Sequence, residues 1–440
     1  MPDQTVHIYI GNIIHCNKPF TVHTFEKGFI AVRGSKILAI DNVSALGKYK
    51  INLGLRNTHE VLLKDSQILI PGLIDTHIHA CQYPNIGLGL DRPLLEWLDT
   101  YTYPMEKKFK EVEYSAKVYD AVVKRTLYHG TTTACYFASL FGNTNLILAD
   151  AAIKYGQRAL VGKVNMTRLA PPDYLETPEQ TVTNTRRFIE AMLAKKSNLV
   201  KPIITPRFAL SLQMEEMKKL ADLAKEFNLH IQTHISENTE ECKEIGNLFG
   251  KPYADVYDEA NLLTEKTILA HAVYLSEAEI RLIAESGSSV SHCPSSNLNL
   301  RSGLCDVKEL VHAGVRVGLG TDVSGGRSLS IMDAMRSAID TSVAISFHKN
   351  KEDEEYDPLN CYDVFYLATL GGAEALALDD IIGNFEVDKE FDALIVDMGI
   401  EEGCADYLHE CTPLELLQKF VYVGDDRNIV SVFVSGKKVK

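Results

Sequence analysis

The sequence predicts an α/β fold: a closed (β/α)8 barrel, TIM-like in outline, with a small β-sandwich domain formed from both chain ends. Three observations lead there. Eight apolar, strand-like runs alternate with amphipathic stretches from Ile68 onward. The segments on either side of that region are β-rich and lack the alternation. Acid and imidazole side chains gather at the ends of the runs, where a barrel places its active site.

The first segment reads as short strands, VHIYIGNII and GFIAVRGSKILAIDN, with RGSK as a hairpin turn. The eight runs that follow are ILIPGLIDTHIHA, TTTACYFA, RALVGKVNM, VKPIITPRFAL, LHIQTHIS, TILAHAVYL, SSVSHCPSS and VRVGLGTDVS. Near-continuous apolar strands covered by helices mean a parallel sheet. Eight such units over roughly 250 residues or more close into a barrel. An open doubly wound sheet is the competing arrangement, but no glycine-rich nucleotide turn follows the first strand. Between the runs, EEMKKLADLAKEF puts Met217, Leu220, Ala221, Ala224 and Phe227 on one helical face. SEAEIRLIAESG opens with a capping box, Ser276 with Glu279, and stops at Gly287. LSIMDAMRSAIDTSVAI, from Leu329, is a further helix. One more helix, CYDVFYLATLGGAEALAL, precedes a return of β character in FDALIVD and IVSVFVSGKKVK. The expected division is residues 1–67 and 383–440 for the small β domain and 68–382 for the barrel.

Composition narrows the function. With 45% hydrophobic and 24% charged residues, the chain is an ordinary globular protein. A net charge of -14 argues against a nucleic-acid backbone or an anionic membrane as partner. MPDQTVHIYIGN has no basic segment followed by an apolar core, so no secretory signal is expected. No apolar run approaches membrane-spanning length. Nine scattered cysteines without a Cys-x-x-Cys pair point to a reducing, cytoplasmic setting. The acidic run KEDEEYD, Lys351 to Asp357, is expected to be a solvated loop.

In PGLIDTHIHACQYPN, Asp75, His77 and His79 occupy alternate positions at the end of the first barrel run. Alternate side chains of a strand share a face, and two imidazoles side by side can hold one metal ion. His234 ends the fifth run, His271 the sixth, His292 the seventh and Asp322 the eighth. In a barrel these converge on one mouth. His77, His79, His234 and Asp322 would surround a single ion, with room left for a water. Asp322 has a competing reading as a helix cap, and His292 is left out of the site. His129, His312 and His409 fall at helix or loop positions. Imidazoles with one carboxylate and no cysteine suit Zn2+, with Fe2+ as the alternative. The fourth run ends TPRFAL and carries Lys201 only at its start, so no bridging lysine is expected for a second ion. An ion so held lowers the pKa of bound water from about 16 to about 7. Hydrolysis then needs a proton carrier. Glu237, three residues after His234, is the candidate, with a solvated glutamate ahead of a helix as the plainer reading. His271 could hold or polarise the water, and Asp322 could take its proton.

PGLIDTHIHA, HISE, HCPSSNLNLRSG and GLGTDVSGGRSLSIMDAMR resemble the amidohydrolase superfamily, in its aminohydrolase branch. More narrowly, DTHIHACQYPN, LLEWLDTYTYPMEKKF, GTTTACYFAS, VKPIITPRFALS and IGNFEVDKEFDALIV are similar to the guanine deaminase family. The resemblance covers nearly the whole chain. It implies a metal-dependent barrel that hydrolyses guanine to xanthine and ammonia. One Zn2+ per chain would sit on His77, His79, His234 and Asp322, and zinc-bound hydroxide would attack the amino-bearing ring carbon. Glu237 matches the family's proton shuttle and His271 the histidine beside the activated water, with Asp322 as their catalytic companion. Gln82, Arg207 and Phe208, together with His234, Glu237 and Asp322, match its substrate-contacting positions. Arginine is well shaped to grip the O6 and N7 acceptors of guanine. Phe208 could stack on the ring or serve only as core, and Trp97 could close over the pocket or only anchor a helix. A homodimer is expected. The competing readings are a deaminase of another purine, a pterin or a nucleoside on the same barrel, and a non-catalytic binding scaffold.

Overall fold

A computed structural model describes residues 5–55, 57–349 and 355–440 of the chain. The start of the N-terminal segment and Lys351–Glu354 of the expected acidic loop lie outside the described residues. Five strands open the chain: β1 (Val6–Lys18), β2 (Thr21–Arg33), β3 (Lys36–Asn42), β4 (Thr58–Leu62) and β5 (Gln67–Pro71). Eight follow: β6 (Leu73–His79), β7 (Thr131–Phe137), β8 (Arg158–Asn165), β9 (Val200–Pro206), β10 (Ile231–Ile235), β11 (Thr267–His271), β12 (Ser289–His292) and β13 (Arg316–Leu319). Three more, β14 (Ala393–Asp397), β15 (Ile429–Val434) and β16 (Lys437–Lys438), return to the first sheet.

That first sheet runs β16-β15-β14-β5-β1-β2-β3, with β4 also paired to β1. β1 serves two neighbours on one edge: Val6–Ile10 pairs with β4, and Asn12 and Ile13 pair with β5. A register shift between Gly11 and Ile13 bends it at the changeover. Strict alternation then fills two layers. Tyr9, Ile13, Ile30 and Val32 pack with Phe391, Ile395 and Phe433 from the far end of the chain. Ile8, Phe29, Ala31 and Ala39 face the other way. Both chain ends therefore build one sandwich, as the sequence predicts.

β6 to β13 lie side by side in sequence order, all parallel, with helices covering the outside. The helix Met214–Phe227 buries Met217, Leu220, Ala221 and Ala224, and Glu277–Ser286 carries the predicted capping box and stops at Gly287 in the left-handed region. No backbone ladder joins β13 to β6. Side chains and the segment after β13 close the seam instead. The Thr76 hydroxyl donates to the Leu319 carbonyl (2.9 Å), the Asp322 amide to the His77 carbonyl (2.9 Å), and the His79 amide to the Val323 carbonyl (3.2 Å). The buried Asp75 carboxylate accepts from the Thr321 amide (3.1 Å) and hydroxyl (2.5 Å).

Two segments differ from expectation. The apolar run from Ile68, expected as one barrel strand, is two strands in two sheets. β5 pairs antiparallel with β14 and β6 parallel with β7. Gly72 separates them: a Cβ there would sit 2.1 Å from the Thr132 hydroxyl oxygen. We propose Gly72, rather than a division after residue 67, as the junction of the two units. The helix expected over CYDVFYLATLGGAEALAL is also two, Cys361–Ala368 and Leu370–Ala375, interrupted at Thr369, whose hydroxyl bonds the Phe365 carbonyl. Its glycine pair allows close approach, because a Cβ on Gly372 would already stand 3.0 Å from that of Ile74. Ala373 and Leu376 thus join Ile74, Cys135, Leu160, Ile203 and Ile268 to plug the floor of the barrel. Among the described residues no helix is long and apolar enough to cross a membrane.

The two units are clasped by charge. Arg158 on β8 reaches Asp392 through Nε and Nη2 (both 3.2 Å) and Glu390 through Nη2 (2.8 Å). Arg158 and Asp392 are both buried. Removing one partner of a buried pair strands the other, so Arg158→Ala should cost about 3–5 kcal/mol of stability. Urea denaturation checks this; a midpoint equal to that of the unaltered chain would remove the clasp from the account. His15 on β1 gives a pH dependence. Its Nδ1 accepts the Phe385 amide (3.3 Å). Burial, then the charge of His23, pushes the imidazole from 6.5 down to about 4. Between those values the unfolded chain binds a proton that the folded chain refuses. Stability is therefore full above pH 6.5 and falls as pH drops toward 4, by on the order of 3 kcal/mol from this group. His15→Gln, which keeps an acceptor without the titration, should melt with a shallower pH dependence across that window.

Candidate active site

The strand ends converge as the sequence predicts. His77 and His79 come from the end of β6, His234 from β10 and His271 from β11, while Asp322 lies three residues beyond β13. The ligand atoms of His77, His234, His271 and Asp322 all lie within 4.8 Å of one another. His79 belongs to the same cluster: its Nε2 is 3.2 Å from Asp322 Oδ1 and 3.2 Å from His234 Nε2. His77 Nε2 is also 3.2 Å from Asp322 Oδ1. Five groups thus crowd one point at the mouth, one more than the four expected as ligands.

The imidazoles are aimed by what holds their far sides. His77 Nδ1 meets the Gln232 side-chain oxygen (2.6 Å), His234 Nδ1 the Arg207 carbonyl, and His271 Nδ1 the Asn297 side-chain oxygen (2.8 Å). An oxygen acceptor on Nδ1 requires the proton there, which leaves Nε2 with a free lone pair directed inward. The Nε2 atoms of His77 and His271 are buried and have no hydrogen-bond partner. Burial pushes His79 down to about 4 and, with the neighbouring imidazoles, holds His234 well below its usual range. Burial would raise the Asp322 carboxyl, but the imidazoles of His77, His79 and His271 around it outweigh that and hold it well below the usual carboxylate range. Neutral imidazoles with one carboxylate are the donor set a divalent transition metal needs. Lys201 sits at the other end of β9, exposed, with its ammonium on the Ser197 carbonyl (2.8 Å), so it supplies no bridge to a second ion.

The backbone is bent to reach this geometry. Ser236, His271, Ala272 and Asp322 all have positive φ, of 47°, 79°, 52° and 44°. Non-glycine residues held there cost about 1–3 kcal/mol each and persist only where surrounding bonds impose them. Here the Ala272 amide donates to the Ile235 carbonyl (3.0 Å) and the Gly326 amide to the Asp322 carbonyl (2.7 Å). A Cβ on Gly326 would lie 1.8 Å from the Thr321 carbonyl, so only glycine lets the chain turn back so tightly. Asp322 is no helix cap; the following helix begins at Ile331.

Glu237 is buried, not solvated. It precedes Asn238, the true cap of the helix Thr239–Phe249. One oxygen accepts the Ser302 hydroxyl (3.2 Å); the other is 3.6 Å from His271 Nε2. Its amide is fixed by Glu241 Oε2 (3.0 Å), whose other oxygen accepts the Tyr253 hydroxyl (2.6 Å). Burial, then the charge of Asp322, raises the Glu237 carboxyl to about 8. His271 Nε2 is 3.7 Å from Asp322 Oδ2. His292 is buried at the end of β12 with neither ring nitrogen partnered, and lies outside the cluster.

A cavity opens over the cluster. Gln82, Arg207, Phe208, Trp97, Leu98 and Leu300 line it beside His79, His234, Glu237, His271 and Asp322. Trp97 does both things the sequence left open: its ring forms wall, and its indole N–H donates to the Leu88 carbonyl (3.0 Å). Sequence reasoning missed Glu106. This carboxylate, fully buried on the excursion between β6 and β7, accepts Arg207 Nη1 (2.8 Å) and Nη2 (3.2 Å), Gln82 Nε2 (2.9 Å) and the Tyr174 hydroxyl (2.8 Å). Burial would raise it, but Arg207 more than offsets that and leaves it below the usual carboxylate value. Followed by Lys-Lys, it looks in sequence like part of a solvated charged face. Asn297 and Gln232, which orient imidazoles, carry no signal of their own either.

The amidohydrolase family model matches residues 68–439. The guanine deaminase of Mus musculus is 48% identical over 98% of this chain and 96% of its own length, and that of Homo sapiens is 44% identical over the same shares. A crystal structure of guanine deaminase from C. acetobutylicum with bound guanine superposes with a TM-score of 0.89 at 33% identity, covering 99% of this chain and 100% of the other. Likeness of this extent, on a barrel whose strand ends build the mouth described above, places the chain in the amidohydrolase family and, within it, among the guanine deaminases.

Proposed function

We propose that the chain hydrolyses guanine to xanthine and ammonia with one Zn2+ held by His77, His79, His234 and Asp322. The observation that carries this reading is the convergence of inward-facing Nε2 atoms and an ionised carboxylate beneath a cavity walled by Gln82, Arg207 and Phe208. The guanine deaminases it resembles supply the substrate. When bound, the ion lowers the pKa of a coordinated water to about 7.

The chain's own groups do the rest. Gln82 and the N–H groups of Arg207 not taken by Glu106 present polar partners to the edge of the base. Phe208, Trp97 and Leu300 exclude solvent from its faces. Glu237 carries a proton to the ring nitrogen beside the amino-bearing carbon as water adds to that carbon. His271, its Nε2 between Glu237 and Asp322, orients the attacking water. Asp322 and Glu237 then pass the water's first proton to the amino nitrogen, the carbon–nitrogen bond breaks and ammonia leaves, and the remaining hydroxyl proton returns to Glu237 as the new carbonyl forms. A homodimer in a reducing cytoplasm is the setting we infer. Nine unpaired thiols and the commonness of two-fold assemblies among soluble enzymes support it.

Ammonia release from guanine, adenine, guanosine and adenosine tests the substrate. Guanine should lead, a chelator should abolish the activity, and added Zn2+ should restore it. Faster release from a nucleoside or from adenine would transfer the site to another ring. Glu237→Gln should keep metal near one ion per chain while kcat falls at least about 100-fold. Turnover close to normal in that variant would remove Glu237 from proton transfer.

A further inference from the structure

Arg207 is not a free cation. Its two terminal nitrogens meet the two oxygens of Glu106, at 2.8 and 3.2 Å, and both side chains are almost wholly buried. Glu106 itself does not line the cavity; Arg207 and Gln82 do. It therefore acts through them. Because Glu106 accepts from Gln82 Nε2 (2.9 Å), and Gln82 Oε1 accepts the Ser324 amide (3.2 Å), the Gln82 amide is locked in one orientation. Tyr174 fills a further lone pair of Glu106 (2.8 Å), and Tyr103 lies under the guanidinium with 5.2 Å from its carbon to the ring centroid. A carboxylate given four donors in a dry setting stays in place.

An isolated guanidinium at that wall would make the cavity an anion trap, since charge is little screened once water is excluded. Paired with Glu106, it offers directional N–H groups and almost no net charge. We propose that Glu106 is the positioning residue that sets charge selectivity: by cancelling Arg207 it makes the pocket take neutral purine bases and turn away anionic ones, the deprotonated form of an oxidised purine included. The inference rests on the purine reading above.

The test compares binding of two purines that differ in charge, hypoxanthine (neutral) and urate (monoanionic at neutral pH), to the full-length metal-loaded chain by titration calorimetry at one pH. Metal content and melting temperature are measured for each variant. The unaltered chain should bind hypoxanthine more tightly than urate. Glu106→Gln should shift the ratio of the two dissociation constants toward urate by at least about tenfold and lower kcat/KM for guanine by a similar factor. Glu106→Asp, which keeps the charge and loses the reach, should lower turnover and leave the ratio unchanged. The double variant Glu106→Gln/Arg207→Met removes both charges and should lose the urate preference; it also serves if Glu106→Gln alone does not fold. A ratio indifferent to the charge at position 106 in the folded variants overturns the proposal. Failure of the unaltered chain to release ammonia from guanine overturns the substrate reading instead, and leaves the binding comparison to be judged by itself.

Discussion

The constraint on which the site depends is the seam between the first and last barrel strands. β6 and β13 share no ladder, so nothing in the sheet itself fixes the last strand beside the first. Asp75 does this. A buried carboxylate that accepts both the amide and the hydroxyl of Thr321 holds the chain one residue before Asp322, while the His77 carbonyl takes the Asp322 amide. The strand that supplies two imidazoles therefore also fixes the carboxylate that meets them. Asp75 thus holds the ring closed and lies outside the cluster that His77, His234, His271 and Asp322 form. Strict alternation predicted that it would project with His77 and His79. The pairing of β6 with β7 shifts register between Asp75 and Ile78, and the Asp75 carboxylate is taken by Thr321.

The same economy governs the imidazoles. Four imidazoles in a dry mouth would repel one another if protonated, and burial drives His79 and His234 toward neutrality. Neutral imidazole has one donor and one acceptor nitrogen, so an oxygen placed at Nδ1 decides where the other lone pair points. Gln232, Arg207 and Asn297 are those oxygens, and they come from a strand, a strand end and a helix. The left-handed residues Ser236, His271, Ala272 and Asp322 are the local cost of turning strand ends toward a common point.

What could be read from the sequence follows from this division. The eight parallel strands were legible because each is a continuous apolar run bounded by helix signals. The gathering of imidazoles and a carboxylate was legible because these groups at strand ends are chemically conspicuous and the barrel rule says where they meet. The parting of the first run at Gly72 was not, because an apolar run carries no mark of which sheet it joins; the antiparallel pairing of β5 with β14 and the parallel pairing of β6 with β7 reveal it. The break at Thr369 stayed hidden for a similar reason, since helix periodicity continues across it while the glycines that follow serve the barrel floor. Glu106, Asn297 and Gln232 were invisible because their importance is relational. A glutamate before two lysines resembles every solvated helix end until Arg207 is seen to face it.

Arg207 joins the two halves of the site. Its carbonyl sets the ring of His234, and its side chain, held by Glu106, forms cavity wall. One residue thus serves both the wall of the cavity and the orientation of an imidazole in the cluster below it. The excursion between β6 and β7 contributes Gln82, Trp97, Leu98 and Glu106, all on short helical segments rather than on strands. The barrel thus fixes the cluster of imidazoles and Asp322 at its strand ends, whereas much of the cavity wall above it comes from one inserted segment and from Arg207, which that segment holds through Glu106. The shape of the cavity can be altered in that segment without touching the strand ends only while the carboxylate that holds Arg207 is kept, because Arg207 itself follows directly on the end of β9.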